Sequence, residues 1–290
     1  MKLKLGALMA KCPNITVENG WLQATTGSAI FREFVPKFAT FNFAVNAKAF
    51  VDALKQVQNT CFIRLTTEHL LLITDKQEIK LVLVPPDIHV SPSATTAMWT
   101  IDDWASDWAI ISEFVDPAYP GVRCCTDYLE AVSNESIVRM KKSVAFPQSV
   151  VIAACKLPKK SQNYAFINNV LWIGYNIDCY VGLTALDISL PNTDSFFKDD
   201  ALPFKTIPKQ LLKQLISADY AEFINGGILL KIADVTSAFI EGVEGRGIYD
   251  CSLFNKVVKH GTVWAMTGEV MHFESSILNG IIENKTNAED

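Results

Sequence analysis

Apolar residues recur along this chain with two periods, one helical and one extended. Leu5, Leu8, Met9 and Cys12 fall at i, i+3, i+4 and i+7, which predicts one face of a short helix ended by Pro13-Asn14. Ile15–Glu18 and Trp21–Thr25 flank Asn19-Gly20, and Asn-Gly between β-prone runs predicts a hairpin. Ile30–Val35 reads as a third strand stopped by Pro36. Asn46 is the expected N-cap of a second helix, whose apolar face is Phe50, Val51, Leu54 and Val57. Three more strands begin at Cys61, His69 and Glu78, and Pro85-Pro86 ends the last. Residues 87–100 are rich in Pro, Ser and Thr and read as a linker. Residues 101–147 have the least regular pattern, with a turn at Asp116–Gly121 and a short helix expected at Tyr128–Val132. After 147 the earlier order returns. A helix carrying Val150, Val151, Ala154 and Leu157 is expected, then strands at Val170–Ile173 and Cys179–Leu183. A helix at Pro208–Ser217 precedes strands at Ile228–Ile232 and Ala238–Ile240. Apolar pieces around Val257, Trp264 and Ile277–Ile282 precede a polar tail after Asn284.

Two stretches match each other. Phe43–Leu54 and Phe204–Leu215 each run from a strand ending through a turn into a helix with a lysine in its first turn, and Pro208 stands where Ala47 does. Each is followed by strands, at Leu70–Ile73 and Ile228–Ile232. A duplicated helix-plus-strands unit has to bury its apolar face against its copies. The helices also carry lysines at helical spacing: Lys4 with Lys11, Lys48 with Lys55, and Lys209 with Lys213. Lys156, Lys159 and Lys160 would do the same for the helix near 150. Lysine opposite an apolar stripe is also how any surface helix looks, so the weight rests on the repetition.

The pattern Ala47-Lys48-Ala-Phe50-Val51-Asp-Ala-Leu54 with its downstream strands, repeated at Pro208–Leu215 and Ile228–Ile240, resembles the DNA sliding clamps, bacterial β clamps most clearly. The resemblance covers roughly residues 1–88 and 165–245. It implies an α+β clamp fold of repeated βαβββ units, with antiparallel sheets outside and helices inside a ring. It also implies a non-catalytic processivity factor that encircles duplex DNA, tethers a polymerase and is opened by a clamp loader, in a bacterial or phage-infected cytoplasm near the nucleoid. The expected division is a clamp-like domain over 1–88, a linker over 89–100, a second clamp-like domain over 101–250 with an insertion near 101–147, and an extension over 251–290. Four helices per chain suit two domains and a trimer better than a dimer. The nine lysines named above become the DNA-facing set, since mobile point charges attract phosphates without fixing a register. Val82, Val84, Ile88 and Trp99, near the linker, become the partner-binding candidates. The alternative is a clamp-fold interaction module that no longer forms a ring.

Composition alters this picture little. Hydrophobic residues make up 49% of the 290 residues and charged ones 20%, so a folded core is expected. The net charge of −5 has the wrong sign for a uniform DNA-binding surface and leaves only local clustering as a source of attraction. Seven cysteines with no C-x-x-C pair suit a reducing compartment. The N-terminal apolar stretch is broken by Lys4 and Lys11 and reads as a mature helix rather than a leader. The four histidines lack partners at metal-ligand spacing, so no metal or cofactor is expected. Gly242–Gly247 lacks the strand-then-helix setting of a phosphate loop. Asp102-Asp103 and Asp199-Asp200 read as caps or turns, and the tryptophans at 99, 104 and 108 read as core more than as a stacking platform.

Overall fold

The structure, a computed structural model, describes residues 3–285 apart from 58–60, 89, 93–98, 144–148, 198–201 and 234. Among the described residues, the order strand, helix, three strands recurs. The first group is Gly6–Met9 (α1), Asn14–Glu18 (β1), Trp21–Thr25 (β2) and Ala29–Phe34 (β3). The second is Asn42–Asn46 (β4), Ala47–Gln56 (α2), Phe62–Leu65 (β5), His69–Ile73 (β6) and Glu78–Val82 (β7). The third is Thr100–Ile101 (β8), Trp104–Ile111 (α3), Gly121–Cys124 (β9), Tyr128–Val132 (β10) and Ser136–Lys141 (β11). The fourth shows no helix among the described residues: Val150–Ala153 (β12), Asn163–Ile167 (β13), Val170–Asn176 (β14) and Cys179–Leu186 (β15). The fifth is Lys205–Thr206 (β16), a 3-10 turn at Lys209–Leu211, Leu212–Leu215 (α4), Tyr220–Ile224 (β17), Gly227–Ile232 (β18) and Val235–Glu241 (β19). The sixth is Gly247–Asp250 (β20), Cys251–His260 (α5), Val263–Thr267 (β21), Val270–Glu274 (β22) and Leu278–Glu283 (β23).

The chain forms two compact units, Met1–Ala109 with Cys155–Leu186, and Ile110–Ala154 with Asp187–Asp290. Their extents differ from the expected division at 88, 101 and 250. In the first unit one antiparallel sheet runs β4-β1-β2-β3-β15-β14-β13-β8 and another runs β5-β6-β7. Its core gathers Phe38, Phe43 and Phe50, with ring centroids 5.6–5.9 Å apart. Asn46 caps α2 as expected, its side chain accepting from Ala49 N at 3.0 Å. Trp104 and Trp108 are fully buried; Trp104 lies 4.6 Å from the Tyr164 ring and Trp108 Nε1 donates to Cys155 O at 3.1 Å. In the second unit the sheets run β16-β21-β22-β23-β11-β10-β9-β12 and β19-β18-β17-β20. Phe223, Phe254 and Trp264 form its aromatic centre.

Three elements correct the sequence reading. The helix expected near 150 is β12, a strand followed by coil, because Val150-Val-Ile is a continuous β-branched run paired to β9. The helix expected at Tyr128–Val132 is β10, between β9 and β11. The helix expected at Pro208–Ser217 is a 3-10 turn and four α-helical residues; Pro208 stands at the N-cap rather than at the first helical position and, unlike Asn46, has no side-chain acceptor for the first turn.

A longer repeat underlies the six groups. The strands β1–β3 and β9–β11 align at a spacing of 107, β9 ending one residue short, so that Thr16, Trp21, Gln23 and Arg32 correspond to Arg123, Tyr128, Glu130 and Arg139. The β1–β2 hairpin recurs as β17–β18, where Asn225-Gly226 stands for Asn19-Gly20. Gly20 and Gly226 have φ of +85 and +92, and such turns need a residue that tolerates the left-handed region.

Candidate nucleic-acid face and docking pocket

The nine candidate lysines are all exposed, but their ammonium groups have unequal freedom. Lys48 on α2 and Lys213 on α4 point along exposed helix faces. Lys55 is held by Asp52 at 2.7 Å, three residues back on the same helix, and that bond draws the Asp52 carboxyl below its usual range. Lys4 Nζ sits 4.8 Å over the Tyr175 ring. Lys11 follows α1 and lies close enough to Cys155 to act on its thiol, which brings it near the coil that carries Lys156, Lys159 and Lys160. That coil replaces the expected helix, so those three lysines do not share a helical face.

Lys209 has a different job. Its ammonium donates to Val258 O at 2.5 Å and to Gly261 O, the carbonyls that end α5, and desolvation there lowers its pKa. A cation on the last carbonyls of a helix closes groups that have no partner inside it. Sequence spacing missed α5 itself, which bears Lys256, Lys259 and His260. Of these, Lys259 and His260 are bound to Glu113 at 2.7 and 3.0 Å. Burial opposes ionisation of Glu113, yet its bonds to Lys259 and His260 prevail and depress its pKa. The fully described helix α3 carries Asp107 and no lysine. Among the described residues no three His, Cys, Asp or Glu side chains converge as a metal would require, and no helix is long and apolar enough to cross a membrane.

The four partner-binding candidates differ in their surroundings. Val82 is exposed on β7, and Val84 is half-buried with its N–H on Ala44 O. Ile88 is exposed, while Trp99 packs on Ile30, Val170 and Trp172. Their segment is nevertheless organised. Thr16, Gln23 and Arg32 are cross-strand neighbours, and together they hold the linker as a strap. Asp87 N donates to Thr16 Oγ1 at 2.9 Å, and Val90 N to Gln23 Oε1 at 3.0 Å. Gln23 Nε2 donates to Ile88 O and Arg32 Nη1 to Val90 O, both at 3.1 Å. A buried amide thus both donates to and accepts from the backbone of this segment.

The matching residues of the second unit hold a second strap in ionic form. Glu130 is fully buried between its cross-strand neighbours Arg123 and Arg139. Arg123 Nη1 stands 2.8 Å from Glu130 Oε1, and Arg139 Nε donates to Oε2 at 2.7 Å. Arg123 also donates to Pro191 O at 2.7 Å. Arg139 donates to Thr193 Oγ1 at 2.8 Å and to Asp194 Oδ1 at 2.6 Å, and the Thr193 hydroxyl donates to Glu130. The Arg139 guanidinium lies 4.3 Å from both the Tyr128 and Phe197 rings. Beside this strap a pocket of about 420 Å³ opens between the β10–β11 turn, the strap and β23. Tyr119, Val132, Ile137, Pro191, Phe196 and Ile281 supply apolar lining, and none of the four sequence candidates takes part. The volume suits a few apolar side chains of a ligand.

No family model and no curated protein matches the sequence. Solved structures do match the fold. The DNA polymerase sliding clamp of Pseudomonas aeruginosa aligns with a TM-score of 0.72 at 13% identity, over 98% of this chain and 96% of that one. The Helicobacter pylori β clamp bound to a DNA ligase peptide aligns with a TM-score of 0.71 at 11% identity, over 94% and 91%. The DNA polymerase III β chain of Streptococcus pneumoniae aligns with a TM-score of 0.69 at 13% identity, again over 94% and 91%.

Proposed function

We propose, from a chain that has the β sliding clamp fold, that two copies close into a non-catalytic ring around duplex DNA and tether a polymerase. The observation that carries this reading is the use of last strands. Within the first unit β3 pairs with β15, and within the second β11 pairs with β23; each is the last strand of its group. The last strands of the two remaining groups, β7 and β19, end their sheets. They expose Val82 on one side and Val235 and Phe239 on the other. Long exposed edges invite another strand. Pairing β7 of one copy with β19 of the next repeats the internal junction, and such a head-to-tail contact generates a ring where its rotation closes. The clamp resemblance implies twelve helix-plus-strand units around one ring, and six groups per chain, rather than the four helices counted in sequence, reach that number with two copies in place of the expected trimer.

Lys48 and Lys213, with Lys11 and the coil lysines, supply the sequence-independent attraction to phosphates. Topological closure lets weak contacts give long residence. The pocket beside the second strap takes an apolar peptide segment of the polymerase or another partner, as the Helicobacter clamp takes a ligase peptide. The clamp-fold module without a ring is favoured only by the engagement of Lys55 and Lys209. Mass measurement in solution, with retention on nicked circular DNA against its linearised form, separates the two. Two copies retained on the circle and lost from the linear form are expected. A monomer that runs off both forms equally refutes the ring.

A further inference from the structure

The docking pocket is apolar inside and acidic at its rim. Glu135 and Glu283 both line it and both are exposed. They are neighbours, because Ser136 pairs with Ile282 and Glu283 N donates to Glu135 O at 2.9 Å. A third carboxylate stands close by: Asp116 accepts from Ala118, Tyr119 and Asn134 N, and Asn134 also lines the pocket. Two described cations face these carboxylates, and both are shared: half-buried Lys256 feels Glu113 and Asp250 ahead of Asp116 and Glu135, and Lys285 is divided likewise. Its Nζ is 3.9 Å from Glu135 but 3.3 Å from Asp250. Arg139 is committed to Glu130, Thr193 and Asp194. Negative charge is therefore in excess at the mouth of an apolar site.

We infer that this pocket selects an apolar peptide segment flanked by Lys or Arg, with Glu135 and Glu283 as the specificity-determining residues. The inference rests on the docking reading above and adds the partner's charge to it. A basic side chain beside the inserted apolar residues meets two carboxylates in water-exposed geometry. Each such pair is weak alone, so the two together give about a three- to tenfold preference at low salt. Salt shrinks it, because exposed charges are screened within about 10 Å at 0.1 M.

The test uses the full chain and three fluorescent heptapeptides with a central pair of leucines, flanked by lysines, by serines or by glutamates. Anisotropy titrations should rank lysine above serine above glutamate. The double variant Glu135→Gln/Glu283→Gln should bind all three with similar affinity, its lysine-to-glutamate ratio falling to about one. Equal binding of the three peptides to the unaltered chain overturns the inference and leaves the docking reading intact. A lysine preference that survives in the double variant also overturns it, since the selectivity would then lie elsewhere. Failure of all three peptides to bind removes the docking reading and this inference together.

Discussion

Replacing Glu130 by Gln tests whether the ionic ladder, rather than general packing, holds the second strap. The substitution keeps the volume and removes one charge. Glu130 has no exposed surface, and the side chains of Arg123 and Arg139 are only 14% and 12% exposed. The change leaves two guanidiniums facing a neutral amide, with Asp194, 70% exposed, as the remaining carboxylate. Removing one member of a buried pair typically costs about 3–5 kcal/mol, because the other charge stays buried without compensation. The residual exposure of the arginines and the presence of Asp194 place the expected loss near the lower end, about 3 kcal/mol. Urea unfolding followed by circular dichroism gives the total. Proteolysis of the 187–197 segment reports the strap, which loses the Glu130 bond to Thr193. A double-mutant cycle with Arg139→Gln should show a coupling of about 1–3 kcal/mol. A loss under about 0.5 kcal/mol, the size of an ordinary surface substitution, with an unchanged proteolysis rate would refute the assignment.

Other expectations follow from single contacts. Lys48→Gln with Lys213→Gln should shorten retention on circular DNA without changing thermal stability, whereas Lys209→Gln should lower stability by about 1 kcal/mol through the end of α5. Asn46→Ala and Asp250→Ala should each cost about 1 kcal/mol as lost N-caps, measured by chemical denaturation. Asp250 should be the costlier because it also binds Lys285. Glu113, with its folded pKa held below the ordinary 4.5, contributes stability that is complete above that value. That contribution is lost as pH falls through the depressed folded value, so Glu113→Gln should flatten the acid limb of a stability-against-pH curve.

The first third of the chain was legible because its signals are local. Asn19-Gly20 turns where expected, and Asn46 caps the helix whose apolar face was read directly. Residues 101–147 were opaque because their strands are short and the second face carries Arg123, Glu130 and Arg139, whose burial makes sense only beside one another and the strap. The spacing of Val150, Val151, Ala154 and Leu157 fits a helix as well as a strand, and short apolar runs carry that ambiguity. The signal for α5 lies in the sequence, with Asp250 before Leu253, Phe254, Val257 and Val258, although the expected division makes this segment an extension. The pocket could not be read locally. Its walls come from residues near 119–137, 191–196 and 270–283. The role of Lys209 was hidden for the same reason, since the carbonyls it closes lie about fifty residues away.

The pairings of β3 with β15 and of β11 with β23 set a timetable for the nascent chain. Phe31 meets Val181 and Val138 meets Gly280, so each strand waits for a partner made about 140–150 residues later. At a synthesis rate of roughly 5–20 residues per second, that wait is about 7–30 s. During it, β3 and β11 emerge with their last edges open, and such edges are aggregation-prone in proportion to their lifetime. Loop closure over these separations also makes folding slow. Overproduction should therefore favour inclusion bodies, and slower translation or lower temperature should recover soluble protein.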